Sequence, residues 1–338
     1  MDYYSFSLVF SEGIVLKKNI LLIHTGGTIS MSEDTTGAVK PGRNNPLTQG
    51  TEHLSSIANL IIEEPFHLPS PHITPKEMMR LKFILEEYGR KGDIDGAVIT
   101  HGTDTLEETA YFLDLTCQAD FPIVVTGAMR SSNEIGSDGL YNLISSIRVA
   151  SSPEATRQGV LVVLNDEIHT AVNVTKTHTS NISTFQSPQY GPLGIVTKRG
   201  VLFHHTPTKH ESYDVQDINK NVYLIKAHAG MDSTLLNAIL DLKVDGIVIE
   251  ALGQGNLPPA ALDGLNQFIA NNIPVVIVSR SYAGIAQDVY GYKGGGKHLK
   301  EMGVIFSNGL NGQKARLKLL VALANTDKME EIAEMFSF

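Results

Sequence analysis

The chain has 338 residues and a single cysteine, Cys117. No internal disulfide can form, and the sequence reads as that of a protein kept in a reducing cytoplasm. It has no apolar run near the ~20 residues that a helical bilayer span requires, so a membrane function is not expected. Positive charge is in deficit, with 27 Lys and Arg against 36 Asp and Glu and a formal net charge of −9. No basic stripe offsets that deficit, which argues against a nucleic-acid partner. The opening MDYYSFSLVFSEGIVLKK lacks basic residues ahead of its apolar patch, because Lys17 and Lys18 follow it. That order is wrong for a secretory signal, and the stretch is read as a peripheral extension, an edge strand. There is no internal repeat, and low complexity is confined to the glycines at 294–296.

What is present is the composition of an ordinary globular protein, 42% apolar and 19% charged. The length exceeds what one hydrophobic core usually serves, so two domains are expected. Apolar runs of strand length recur: NILLIH (19–24), GAVIT (96–100), PIVVTG (122–127), GVLVVL (159–164), NVYLIKA (221–227), GIVIEA (246–251) and PVVIVS (274–279). Each is a continuous Val/Ile/Leu run rather than an alternating one, the pattern of parallel strands covered on both faces. Helical segments lie between them, over 76–92, 105–117, 138–152, 232–244, 259–272 and 315–326. The expected class is α/β, with two doubly wound domains and mainly parallel sheets. Thr105 with Glu108 three residues on reads as a capping box. The polar, aperiodic FHHTPTKHESYDVQDINK marks a linker at 207–219 between a larger domain, 1–206, and a smaller one, 220–338.

In open parallel sheets ligands bind outside the carboxyl ends of the strands, so the residues that follow each strand carry the information. NILLIH leads into Thr25-Gly26-Gly27-Thr28, and GAVIT into His101-Gly102-Thr103-Asp104-Thr105. GVLVVL leads into a segment that ends at Lys176. Two threonines, an aspartate and a lysine thus face one rim, a set sufficient for covalent acyl chemistry. A hydroxyl becomes a useful nucleophile when a base takes its proton, and a neutral lysine can be that base. Bringing a lysine from ~10.4 to 7 or 8 costs roughly 3–5 kcal/mol, which burial can supply. Backbone N–H groups in glycine-flanked turns can receive the developing oxyanion, at ~3–4 kcal/mol per donor. Read alone, TGGT is equally a tight turn and TDT equally a helix cap. Two such signals at strand ends favour a site.

The stretches HTGGTIS, VITHGTDTLEET and NVTKTHTSNISTFQSPQYGPLG resemble the bacterial L-asparaginase family in its two-domain, cytoplasmic branch. The likeness runs from about Asn19 to the C-terminus and includes EALGQGNLP and SRSYAGIAQD. It implies a flavodoxin-like N-terminal domain and hydrolysis of L-asparagine to L-aspartate and ammonia without cofactor or metal. Carried over motif by motif, Thr28 is implied as the primary nucleophile, and Thr103, Asp104 and Lys176 as the activating group. Gly27, Ser70, Thr103 and Asp104 are implied in substrate binding, with Ser70 on the α-carboxylate and Asp104 on the α-ammonium. Asn256 in GQGN is similar to a residue the family lends from a neighbouring subunit, which implies a homodimer or homotetramer with sites at subunit interfaces.

Two departures stand out. The segment after Thr28, SEDTTGAVKPGRNNPL, has the Gly, Pro and Asn of a lid but not the tyrosine that relatives carry there; no tyrosine lies between Tyr4 and Tyr88. In AQDVYGY, Tyr290 stands where many relatives have a glutamate, and a partner's Tyr290 is expected to supply the missing hydroxyl near Thr28. Pro71 replaces a glutamine of some relatives, which leaves asparagine and glutamine less sharply separated. GYKGGGKH nearly spells a phosphate-binding loop, but His298 stands where Ser or Thr must bind magnesium, so it is read as a solvated turn. The pairs and singles among the twelve histidines fit no ligand spacing, and His101 is read as a support for the HGTDT turn. A broader amidase, an amidotransferase component and a non-catalytic amino-acid sensor are the competing readings.

Overall fold

The computed structural model describes residues 17–41, 46–48, 52–208, 210–307 and 309–337. The expected edge strand of the opening extension lies outside the described residues up to position 16, as do parts of the expected lid.

The N-terminal part runs β1 (Asn19–His24), a short pair β2 (Met31–Glu33) and β3 (Val39–Pro41), α1 (Glu52–Ile57), β4 (Asn59–Glu63), α2 (Pro75–Lys91), β5 (Gly96–Thr100), α3 (Leu106–Thr116), β6 (Ile123–Thr126), α4 (Gly139–Ala150) and β7 (Val160–Leu164). Then come β8 (Glu167–Thr170), the pair β9 (Thr175–Lys176) and β10 (Phe185–Gln186), β11 (Gly194–Thr197) and β12 (Gly200–Phe203). Eight of these strands form one sheet in the order β12-β11-β8-β7-β6-β5-β1-β4. Strands β4, β1, β5, β6 and β7 are parallel, and β8, β11 and β12 continue the sheet antiparallel.

The continuous apolar runs do what their composition requires. Ile20, Leu22, Val98, Val124 and Leu161 pack on one face against Leu143 and Ile147 of α4. Their neighbours Leu21, Ile23, Ile99, Val125 and Val162 pack on the other against Leu81 and Leu85 of α2 and Leu113 of α3. The parallel strands follow the flavodoxin-like order, second-first-third-fourth-fifth, so the winding reverses between β1 and β5. His24 and Thr100 pair at the ends of those two strands. The two glycine-rich turns therefore leave the sheet side by side, at the crevice where this topology opens a ligand position.

After β12 stand β13 (Val222–Lys226), α5 (Thr234–Leu240), β14 (Gly246–Ala251), α6 (Leu262–Ala270), β15 (Val275–Ser279), α7 (Gly296–Glu301), β16 (Ile305–Phe306), α8 (Gly312–Asn325) and α9 (Met329–Met335). The four strands are parallel and in chain order. Ile225, Ile247, Ile249 and Ile277 face Leu236, Leu265, Phe268 and Leu299 of the three crossover helices. Val222, Val248 and Val276 face Leu317, Leu319 and Leu320 of α8, in a cluster that also takes in Met78 and Met79 of α2 and Tyr111 and Phe112 of α3. Helix α8 is thus a shared layer between the second sheet and the helices of the first.

Some local expectations need correcting. Thr105 precedes α3 but makes no capping bond; its hydroxyl donates to the Ser70 carbonyl at 2.8 Å. A capping box forms instead at α2, where Thr74 Oγ1 accepts from Lys76 N at 3.3 Å and Glu77 accepts from Thr74 N at 3.0 Å. The glycines at 294–296 are buried rather than solvated. A Cβ on Gly294, Gly295 or Gly296 would stand 2.2, 2.4 or 2.4 Å from the carbonyl oxygens of Leu257, Tyr290 and Gln287. That run is a close backbone crossing which leads directly into α7. Strands β4, β8, β11 and β12 are not anticipated from the sequence, because their residues are polar or partly exposed rather than one continuous buried apolar run.

Candidate active site

The turn after β1 is fixed from both sides. Thr25 N and Thr25 Oγ1 both donate to Thr100 O, at 3.1 and 2.9 Å, and Leu68 N donates to Thr25 O at 2.9 Å. Gly26 and Gly27 then take φ values of 107° and 81°, a region that only glycine enters at little cost. A Cβ on Gly27 would lie 2.2 Å from Gly102 Cα and 2.3 Å from Gly102 N. The two turns therefore touch backbone to backbone, and Thr28 begins a short helical turn one residue beyond that seam. Its neighbour Ile29 is buried in the core and anchors the turn, while Thr28 itself is half-buried.

The second turn is held by His101, as expected. Its Nδ1 lies 2.8 Å from Gly102 O and its Nε2 lies 2.8 Å from Thr109 Oγ1. A carbonyl can only accept, so Nδ1 carries the proton and Nε2 accepts from the threonine. Thr103 is buried beside it, and Lys176 Nζ donates to Thr103 Oγ1 at 2.9 Å and to Asp104 Oδ1 at 2.7 Å. The lysine side chain is 16% exposed and Asp104 60%, so solvent screens the aspartate's end of this ion pair. Ser70 is buried at the opening of its own short turn. Its hydroxyl oxygen accepts from Asp104 N at 3.2 Å, and Gly102 lies against its side chain.

Lys176 reaches the rim through the β9–β10 pair, in which it stands opposite Phe185. Behind it lies a group that sequence reasoning missed. Glu107 of α3 is buried, and its Oε1 accepts from Thr175 Oγ1 at 3.1 Å and from Lys176 N at 3.2 Å. Its Oε2 accepts from Asn311 Nδ2 at 2.9 Å and lies 3.5 Å from Lys314 Nζ. The available signal was Lys314 itself, a charged residue inside an apolar helix, which must find a partner when buried.

Gly27, Ser70, Thr103, Asp104 and Lys176 are linked by direct contacts around one seam. Asn256 and Tyr290 are not brought there within one chain. Asn256 Oδ1 accepts from Gly296 N at 3.2 Å, within the second domain. Tyr290 is 42% exposed, with its ring centroid 5.6 Å from that of Tyr292. Among the described residues, no hydrogen bond or ion pair joins either to the seam. Of the expected lid, β2 and β3 form a hairpin held to the loop after β6, where Glu33 N donates to Asn133 Oδ1 at 2.7 Å. Among the described residues no group of three or more His, Cys, Asp and Glu is placed to hold a metal ion, and no helix is long and apolar enough to cross a membrane.

Residues 19–209 match the family model described as asparaginase, N-terminal, and residues 221–336 match the glutaminase/asparaginase C-terminal domain. The chain belongs to the asparaginase family. It is similar to a probable L-asparaginase of Deinococcus radiodurans, 39% identical over 322 residues that cover 94% of this chain and 97% of the relative. An L-asparaginase of Bacillus licheniformis is 34% identical over 92% of this chain and 97% of its own length. In three dimensions the chain matches the crystal structure of a probable cytoplasmic L-asparaginase from Campylobacter jejuni. That match has a TM-score of 0.84 and 32% identity, and it covers 95% of this chain and 99% of the other. The family's two-domain, mixed α/β architecture is the one described above.

Around this asparaginase rim, burial holds three imidazoles neutral. His24, His101 and His169 are each lowered from 6.5 to about 4, with desolvation as the main cause. Between those values the unfolded chain binds up to three more protons than the folded one. Stability is therefore full above about pH 6.5 and falls as pH drops toward 4, by ~1.4 kcal/mol per proton per pH unit. His210 opposes this trend, because its hydrogen bond to Asp114 raises its pKa. The urea midpoint is expected to fall steeply between pH 6.5 and 4.5, and His169→Gln to make that slope shallower. A midpoint that stays level over this range would contradict it.

Proposed function

We propose that the chain hydrolyses L-asparagine to L-aspartate and ammonia through an ester on Thr28. The observation that carries this reading is the pair of bonds from Lys176 Nζ to Thr103 Oγ1 and Asp104 Oδ1, at the seam beside Thr28.

Thr28 Oγ attacks the side-chain amide carbon, and its proton passes toward Lys176 by way of Thr103. The C–N bond breaks as the departing nitrogen takes up a proton and leaves as ammonia. Water then adds to the ester, and aspartate leaves as Thr28 regains its proton. Lys176 donates in both of its bonds, and an ammonium has no lone pair, so the base is the neutral amine, which has given one proton to solvent before the attack. The substrate's α-ammonium then takes over the contact with Asp104. Ser70 takes the α-carboxylate, and Gly27 leaves room for a small substrate.

In this reading residues 1–206 form the catalytic domain, 207–219 a linker and 220–338 a domain that completes a neighbour's site. The enzyme is then a homodimer or homotetramer, in which Asn256 and Tyr290 act across the interface. The exposure of Tyr290 within its own chain supports that role. The cytoplasm as its location rests on the single buried cysteine and on the likeness to the probable cytoplasmic L-asparaginase of Campylobacter jejuni.

The test is ammonia release from asparagine and from glutamine by the parent chain, Lys176→Met and Tyr290→Phe. The expected results are faster turnover of asparagine and a ~10²–10⁴-fold loss in Lys176→Met, the range of general-base catalysis. A smaller loss is expected in Tyr290→Phe. Full activity in Lys176→Met would refute the mechanism, and unchanged turnover in Tyr290→Phe would remove that residue from it.

A further inference from the structure

The rim residues explain how Lys176 meets Thr103 and Asp104, but not what holds the lysine's backbone at that distance. Strand β9 is two residues long and, among the described residues, pairs only with β10, so local secondary structure gives it little rigidity. The restraint comes from behind. Glu107 lies three residues after Asp104, in the first turn of α3, where a carboxylate is favoured by the helix dipole. One of its oxygens accepts from the Lys176 backbone N and the Thr175 hydroxyl. The other faces Asn311 and Lys314 at the start of α8, in the second domain. Lys314 Nζ also donates to the carbonyls of Val172 and Val174, two residues of the segment that delivers Lys176. Asn311 Oδ1 caps α8 by accepting from Lys314 N at 3.1 Å, which fixes the orientation of its amide toward Glu107.

We propose that Glu107 and Lys314 are positioning residues: a buried carboxylate–ammonium pair that sets the reach of Lys176 toward Thr103 and Asp104 and ties that reach to the seating of the second domain. Neither touches the reacting atoms. Their effect rests on the proposed function above and acts through the backbone of residues 172–176. A buried pair of this kind is weak evidence for stability, since desolvation cancels much of its attraction. Its geometric consequence is better defined, because a ~1 Å displacement of a catalytic group costs on the order of 10²-fold in rate.

The test uses the full chain with Glu107→Gln, Glu107→Ala, Thr175→Val and Lys314→Met, and with Thr28→Ala as control. Glutamine keeps an acceptor oxygen for Lys176 N but turns an amide toward Asn311 and Lys314; alanine removes both sides. In Glu107→Ala, kcat is expected to fall more than 100-fold with KM for asparagine within threefold of the parent. Glu107→Gln and Lys314→Met are expected to fall by about tenfold or less, each with unmoved KM, so that the conservative replacement rescues most of the loss.

A folded Glu107→Ala variant with kcat within threefold of the parent would overturn the proposal. So would a loss confined to KM, or a Glu107→Gln variant as slow as Glu107→Ala. If Glu107→Ala fails to fold, Thr175→Val decides, because it removes one donor and orphans no charge. A three- to tenfold fall in kcat at constant KM then supports the assignment, and an unchanged kcat overturns it. Ammonia release that survives in Thr28→Ala would instead defeat the proposed function. Full kcat in the Glu107 variants beside an inactive Thr28→Ala would defeat only this inference.

Discussion

Thr28→Ala is expected to lower ammonia release by roughly 10⁴-fold or more, the scale on which removal of a nucleophile acts in enzymes that proceed by acyl transfer. The substitution removes one hydroxyl from a half-buried position and leaves Ile29 seated in the core, so the fold should survive. Nothing in the binding of the α-carboxylate or α-ammonium depends on Thr28 in this reading, because Ser70 and Asp104 carry those contacts. Calorimetry should therefore find aspartate bound within a few-fold of the parent affinity while turnover is lost. Mass spectrometry of the parent chain quenched during turnover should place the transient adduct on Thr28. An adduct on Thr103, or residual activity above a hundredth of the parent's, would reassign the nucleophile.

Gly27→Ala is expected to damage the site almost as severely for a different reason. The methyl group would meet the Cα and N of Gly102, which are backbone atoms and cannot rotate away. The alanine must also hold a φ of 81°, at a cost of ~1–2 kcal/mol. The two turns would have to separate by about an ångström, the displacement that costs on the order of 10²-fold in rate. A loss of at least that size, with a lower melting temperature, is expected in steady-state kinetics and thermal unfolding. Gly102→Ala should be milder, because its φ is not positive and Ser70 Oγ, at 2.8 Å, can rotate away, but Ser70 Cβ, at 2.7 Å, is set by its backbone, so Ser70 itself must shift. Its loss should appear chiefly in KM. A Gly27→Ala variant with kcat within tenfold of the parent would mean that the turns are not locked together.

Much of this was legible in the sequence, for identifiable reasons. Parallel strands covered on both faces are mostly apolar, so β1, β5, β6, β7, β14 and β15 announce themselves as Val/Ile/Leu runs; β13 does so despite its exposed Tyr223 and Lys226, and β16, two residues long, does not. The turns that follow them carry glycines and threonines because two backbones cross there. Short, half-exposed strands such as β11 and β12 have no such signature. The hydroxyl of Thr105 could satisfy a helix end or a neighbouring loop, and only the tertiary fold, by bringing in Ser70, decides between them. Glu107 and Asn311 are 204 residues apart in the chain, and no local pattern foretells their contact. The proposed reach of Asn256 and Tyr290 toward a neighbour's site would belong to an assembly, which one chain's sequence implies only through resemblance.

Helix α8 is the outer wall of the second sheet and, at the same time, a packing surface for α2 and α3 of the first. An apolar stripe used twice cannot be withdrawn from one half without uncovering the other. The two halves recognised along the polymer are therefore one cooperative body in their energetics, and their seam conceals a continuous apolar interior.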